Sequence, residues 1–215
     1  MPITSRREFA IGAGSLLLHG ALRPFARAQS ARPGTRLILL GTGGGPRPRK
    51  TRVPSSQVIL VNEAAYVFDC GVGVATQLAR ADVRMSSLRH VFITHHHSDH
   101  NAEYGPLLLT AWAAGLRTRV DTWGPPPLAR MTELFLQMND YDIRTRTKDE
   151  ARVPLAQLIR SHELNQGGVV LQQDGVVVKC VPSDDPEITD EMWTAAVRQG
   201  GYKGPIILGK DLLEI

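Results

Sequence analysis

At 215 residues, with 42% hydrophobic and 21% charged content, the chain is long enough and apolar enough for one domain with a sizeable core. This excludes a disordered or fibrous protein. The formal charge of +4 overstates its basicity: residues 1–28 carry Arg6, Arg7, Arg23 and Arg27 against Glu8 alone, leaving 21 basic and 20 acidic residues elsewhere. On that balance no nucleic-acid partner is expected.

Along the chain, Ser5-Arg6-Arg7-Glu8-Phe9 resembles a twin-arginine export signal. The apolar stretch 10–22 is too short to span a bilayer. Ala26-Arg27-Ala28 is a small-x-small cleavage site, so the division is a signal over 1–28 and one domain over 29–215. This reading makes the twin-arginine machinery a partner and the periplasm or exterior the destination. Residues 36–40 read as a buried strand ending at Gly41-Thr42-Gly43-Gly44-Gly45, followed by a proline-rich basic segment over 46–52. Two strands at 57–61 and 65–68 flank a turn at Asn62-Glu63. A helix over 72–81 places Val74, Leu78 and Ala81 on one side. A strand at 91–94 and an apolar helix over 102–116 follow. Then come a strand at 120–123, a stop at Gly124-Pro125-Pro126-Pro127 and a helix over 128–139.

Residues 142–152 are polar and read as a flexible connection. Asp174-Gly175 turns a hairpin of 169–171 and 176–180. A helix over 188–198, capped by Asp184 or Asp185, and a short strand at 205–208 close an α/β layered domain. Cys70 and Cys180 are the only cysteines, which is no disulfide framework; both read as small buried residues.

The most informative segment is Thr94-His95-His96-His97-Ser98-Asp99-His100, directly after Val91-Phe92-Ile93. Four imidazoles and a carboxylate within six positions suit a divalent ion such as zinc. In extended backbone His95 and His97 share one side and His96 faces the other. Asp99 and His100 follow where the chain turns into a helix, and face the same hollow from another angle.

The pattern H-x-H-x-D-H after a strand is the signature of the metallo-β-lactamase superfamily, which this segment resembles. Leu40-Gly41-Thr42-Gly43-Gly44-Gly45-Pro46 and Tyr66-Val67-Phe68-Asp69-Cys70-Gly71-Val72-Gly73 are similar to its ribonuclease Z and arylsulfatase-like branch. The resemblance implies an αββα sandwich and two zinc ions, the first held by His95 and His97, the second by Asp99 and His100. Asp69 would steady the histidine loop. It implies a zinc-dependent hydrolase in which metal-bound hydroxide attacks an ester, with Asp99 as proton acceptor. A small-molecule sulfate or phosphate ester is the expected substrate.

The same resemblance implies three further ligands downstream, and only His162 is available there. His90 reads as a strand-edge residue. Val176-Val177-Val178-Lys179-Cys180 resembles the strand before the missing histidine, and Val181-Pro182-Ser183-Asp184-Asp185-Pro186 the segment after the last one. An internal deletion near residues 180–182 is inferred, leaving an incomplete sandwich: its N-terminal half plus a C-terminal helix and strand. Fewer or weaker ions follow from it, and the alternative reading is a catalytically impaired metal-binding remnant. Absent strands would bare apolar surface that a homodimer could cover. Arg47, Arg49, Lys50 and Arg52 read as an anion-attracting or simply solvated loop, and Trp112 and Trp123 as pocket or core residues. The glycine loop lacks the Lys-Ser/Thr of a phosphate loop, and Pro46 and Pro48 interrupt any helix after it.

Overall fold

The structure is a computed structural model that describes residues 34–180 and 190–199. The expected export signal, the caps Asp184 and Asp185, the strand at 205–208 and the junction beyond Cys180 lie outside the described residues.

Three consecutive strands pair antiparallel: β1 (Thr35–Gly41), β2 (Ser56–Val61) and β3 (Ala64–Phe68). The β2–β3 turn is a two-residue connection with Asn62 and Glu63 both at positive φ, the geometry whose twist suits a hairpin. From β3 the sheet turns parallel. α1 (Val74–Arg80) crosses to β4 (Leu88–Phe92), and α2 (Ser98–Asn101) and α3 (Tyr104–Ala113) cross to β5 (Val120–Gly124). Then α4 (Leu128–Met138), α5 (Asp140–Asp149) and α6 (Leu155–Leu158) lead to β6 (Ile159–Glu163). The strands lie in sequence order across six places, β1 to β6. The hairpin of β7 (Gly168–Gln173) and β8 (Val176–Cys180) forms its own two-stranded sheet, and α7 (Asp190–Gln199) is the last described helix.

Two cores result from the alternation of side chains across the sheet. On one face Val58, Leu60, Val67 and Val91 meet Val74 and Leu78 of α1 and Leu107, Leu108 and Ala111 of α3. On the other, Tyr66, Phe68, Phe92 and Trp123 form a row of rings that the hairpin covers with Val170, Leu171, Val176 and Val178. Phe68 stacks on Phe92 at 4.6 Å between centroids, and Trp123 on His162 at 3.9 Å. Such pairs add about 0.5–1.5 kcal/mol each beyond burial. Beyond the hairpin's cover, Leu37 and Leu39 of edge strand β1 are 63% and 61% exposed, the apolar exposure expected of an incomplete sandwich.

Three expectations need correction. Residues 142–152 are not a loose connection: α5 runs through most of them. None of its residues is fully buried, though Ile143 packs against Trp112, Leu155 and Leu158, and ion pairs one turn apart support it, Arg144 to Asp140 and Arg146 to both Asp142 and Glu150. The apolar helix expected from residue 102 begins at Tyr104, after the separate short α2. His90 is no edge residue. It sits within β4 at 3% exposure, stacked on Tyr66. The Trp123 indole can only donate, and it points at His90 Nδ1, while the Gln173 amide lies against His90 Nε2. Trp112 is core, and both cysteines are free thiols, Cys70 buried and Cys180 half-buried.

Burial holds the His90 pKa below its ordinary 6.5, against an upward pull from Asp121 and with smaller downward pushes from His162 and Arg89. A depressed folded pKa means that the unfolded chain takes up the proton first. The stabilisation is therefore complete above about pH 6.5 and is lost as the pH falls through the folded value. His90→Phe should show a shallower fall of Tm between pH 7.5 and 5 than the native chain; equal slopes in thermal denaturation would contradict this.

Candidate metal centre

β3, β4 and β5 run parallel, so their carboxyl ends open on one rim, where ligand sites of α/β sheets form. The histidine segment leaves β4 at that rim, tied by Ile93 N–H to Trp123 O at 2.7 Å.

Its organiser is Asp69, immediately after β3. The residue is 3% exposed and adopts φ +59°, a left-handed conformation that aspartate tolerates better than most residues. Its carboxylate accepts from Thr94 N–H at 2.9 Å, from Thr94 Oγ1 at 2.9 and 3.0 Å, and from His100 Nδ1 at 2.6 Å. These bonds fix tautomers. The carboxylate takes the single hydroxyl proton of Thr94, so Oγ1 must accept from His95 Nδ1, 3.0 Å away. His95 Nε2 is then a lone pair. His100 Nδ1 is likewise occupied as donor to Asp69, which turns its Nε2 toward Asp99.

Those nitrogens have company. His95 Nε2 lies 3.1 Å from His97 Nδ1, and His100 Nε2 lies 3.5 Å from Asp99 Oδ2. The His95 and His100 rings are 4.1 Å apart, so the two donor pairs adjoin. A tetrahedral ion with arms of about 2.0–2.1 Å sets neighbouring donors about 3.3 Å apart. Both separations suit a shared ion, in donor type and in spacing. Among the described residues no group of three or more histidine, cysteine or acidic side chains is arranged to hold one. The residues fit zinc as two half-sites.

Electrostatics favour cation binding. Burial pushes the Asp99 carboxyl up, but the backbone N–H groups of Asp99 and Gly45, with His100 and His97 beside it, outweigh burial and hold it below the usual carboxylate range. The Gly45 N–H reaches Asp99 Oδ2 at 2.9 Å, so the glycine loop wraps back onto the centre. Desolvation, then the neighbouring His100 and His97, lower the His95 pKa and keep that ring neutral. Gly71 is needed for close approach: a Cβ there would stand 2.5 Å from Asp99 O and 2.7 Å from Pro54 Cβ.

The five residues singled out in the sequence, Asp69, His95, His97, Asp99 and His100, thus come together. His96 faces away, as alternation requires. His162 lies on β6, and its partners are Asp121, paired with it at 2.8 Å, and Trp123, stacked on it, rather than residues of the loop. Sequence reasoning missed Thr94 and Gly45; a hydroxyl directly before the first histidine was the available signal for Thr94. A cavity of about 310 Å³ lies between the ends of β1 and α1, lined by Arg49, Lys50, Arg52 and Arg80 with Thr51 and Gln77.

A family model described as "Anti-Pycsar protein Apyc1" matches residues 35–107. Ribonuclease Z of Mycobacterium bovis (strain BCG / Pasteur 1173P2) is 33% identical over 156 residues, 71% of this chain and 55% of that protein. Ribonuclease Z of Cyanothece sp. is 36% identical over 116 residues, 52% of this chain and 36% of the relative. The chain spans about half the length of the first of these. Its fold is similar to the short form of human tRNase Z, with TM-score 0.51 and 22% identity over 66% of this chain and 58% of that one. These relatives overturn one expectation: proteins named for cleaving RNA do not fit a small-molecule ester substrate with nucleic acid excluded. Net charge is blind to a local cluster: Arg49, Lys50, Arg52 and Arg80 border one cavity although the chain as a whole is nearly balanced. The sequence similarity to ribonuclease Z, with a fold similar to that of tRNase Z, makes the chain a member of the metallo-β-lactamase superfamily, on its ribonuclease Z branch.

Proposed function

We propose that this chain is a zinc-dependent phosphodiester hydrolase of the ribonuclease Z type, acting on RNA. One observation carries the reading: Asp69 orients His100 through Nδ1, so that its Nε2 faces Asp99 Oδ2 at 3.5 Å, beside the His95–His97 pair. An imidazole nitrogen and a carboxylate oxygen held this close are a donor pair that a divalent ion can bridge. Bound zinc would acidify a water and neutralise charge on the attacked phosphodiester.

The chain's own residues do the rest. Asp69 holds His95 and His100 in the orientations that aim Nε2 at the centre. Asp99, kept ionised by Gly45 N–H and the adjacent histidines, can take the proton released from the attacking water. The cavity bordered by Arg49, Lys50, Arg52 and Arg80 suits the phosphates of a polyanion. The relatives' name supports RNA as that polyanion.

A second reading rests on a different observation. Among the described residues no third donor joins either pair, which favours weak binding and a metal-holding remnant without turnover. Elemental analysis of the purified chain, together with cleavage of an RNA oligonucleotide, separates the two. Two retained zinc ions with turnover support the hydrolase, and His97→Ala should then weaken zinc binding at least about 10-fold and abolish cleavage. One loosely held ion without cleavage supports the remnant. No bound metal at all defeats both.

The basic cavity makes its own prediction. Replacing Arg49, Lys50 and Arg52 together by Gln should lower affinity for single-stranded RNA. It should also flatten the plot of log affinity against log salt by about 0.7 for each phosphate that is no longer neutralised. An unchanged slope in fluorescence titrations would place the RNA elsewhere.

A further inference from the structure

His96 is the one histidine of the loop that the metal centre does not use. Both of its ring nitrogens are engaged by partners outside the donor set. Its Nε2 lies 2.8 Å from Pro125 O, which can only accept, so the ring proton sits on Nε2. Its Nδ1 is then an acceptor, and Asn101 Nδ2 donates to it at 3.0 Å. This single tautomer satisfies both bonds without ionisation, and neither nitrogen is left for an ion.

We propose that His96 and Asn101 form a brace that sets the donor geometry of the metal centre, a role that rests on the metal-binding reading above. Asn101 is the last residue of α2, so the His96–Asn101 bond closes the segment 96–101 into a ring. Inside that ring lie His97, Asp99 and His100. The closure is anchored outside the loop as well. Pro125 O also accepts from Leu128 N–H at 3.2 Å, and Leu128 is fully buried at the start of α4. The anchor therefore belongs to the packed body of the domain rather than to the loop.

The need for a brace follows from what the other bonds leave unheld. Asp69 restrains the loop at Thr94 and at His100, and Gly45 N–H restrains Asp99. The His97 ring meets only the His95 ring edge-on, so its direction comes from its own backbone. That backbone is one residue from His96. Because neighbours in extended chain face opposite ways, fixing the His96 ring against Pro125 turns His95 and His97 together toward the centre. His96 and Asn101 are thus positioning residues, acting through the ligands and not on the substrate.

The test uses the full chain and cobalt(II), whose absorption spectrum reports donor geometry, with zinc competition for affinity. His96→Leu keeps the volume and loses both bonds. His96→Gln places an amide N–H where Nε2 stood and retains the Pro125 bond. Asn101→Ala removes only the ring closure. The expected result is a zinc affinity about 10-fold lower for His96→Leu with an altered cobalt spectrum, as for other groups that orient ligands. His96→Gln should recover most of the affinity. Asn101→Ala should fall between and add little on top of His96→Leu. A His96→Leu protein of native Tm that binds zinc as tightly as the parent, with the same spectrum, overturns the brace and leaves the metal centre intact. Should His96→Leu fail to fold, native-like affinity in Asn101→Ala overturns the brace equally. A parent chain that binds no metal overturns the centre itself, and the brace with it.

Discussion

The centre depends on one buried carboxylate. Asp69 lies at 3% exposure, in a left-handed conformation, at the end of a strand inside a hydrophobic sheet. An ionised carboxylate there is tolerable only because every bond it accepts is charge-assisted and close. Those bonds have a second consequence. By claiming the proton of Thr94 Oγ1 and that of His100 Nδ1, Asp69 decides which nitrogen of two imidazoles faces the centre. The chemistry of the rim is written in hydrogen-bond direction before any ion arrives. Its position is fixed in turn by Asp69 N–H on Phe92 O at 2.8 Å, which locks the end of β3 to the end of β4.

This organisation explains why the centre is coherent although its donor set is short. Each pair, His95 with His97 and Asp99 with His100, is arranged by bonds local to β3, β4 and the glycine loop. From further along the chain, the Pro125 carbonyl holds His96. Further donors would raise affinity, not create the geometry. The chain therefore separates two properties that a complete centre combines: preorganisation, which it has, and coordination number, for which its described residues supply half.

The histidine loop was legible because alternation after a strand dictates which side chains share a side, and the structure puts His95 and His97 together and His96 opposite. The β1 to β3 meander and the Asp174-Gly175 hairpin were legible for the same reason, as period-two apolar patterns flanking turn residues. α5 was not, because its support lies in Arg146 reaching Asp142 and Glu150, and pairing one turn apart is easily read as mere polarity. β6 was not, since Ile159–Glu163 offers five mixed residues with no apolar face; its place comes from pairing with β5. His90 misled for a related reason. Position in sequence puts it at a strand's start, while its burial is produced by β7 and β8, some eighty residues later. The basic segment was legible as an anion-attracting or solvated loop; that Arg80 of α1 joins it around a cavity was not, because that depends on how the segment folds back.

The two faces of the sheet also differ in how firmly they are held, and this bears on the centre. On the helical face, α1 and α3 bury a continuous aliphatic layer with Val58, Val67, Val74, Leu107 and Val91 fully buried. On the other face, a single hairpin lies over the ring row and leaves a cavity of about 170 Å³ bounded by Phe68, Phe92, Trp123, Pro125 and Val178. Thr94 and Pro125 line that cavity, one the relay between Asp69 and His95, the other the anchor of His96. The bonds that orient the donors thus sit at the boundary between a close-packed core and an underfilled one. Weaker dispersion attraction on the hairpin side leaves Pro125 less restrained there, so its position relies on Leu128 and the helical side. Polar bonds carry the precision of this centre because packing supplies it from one side only.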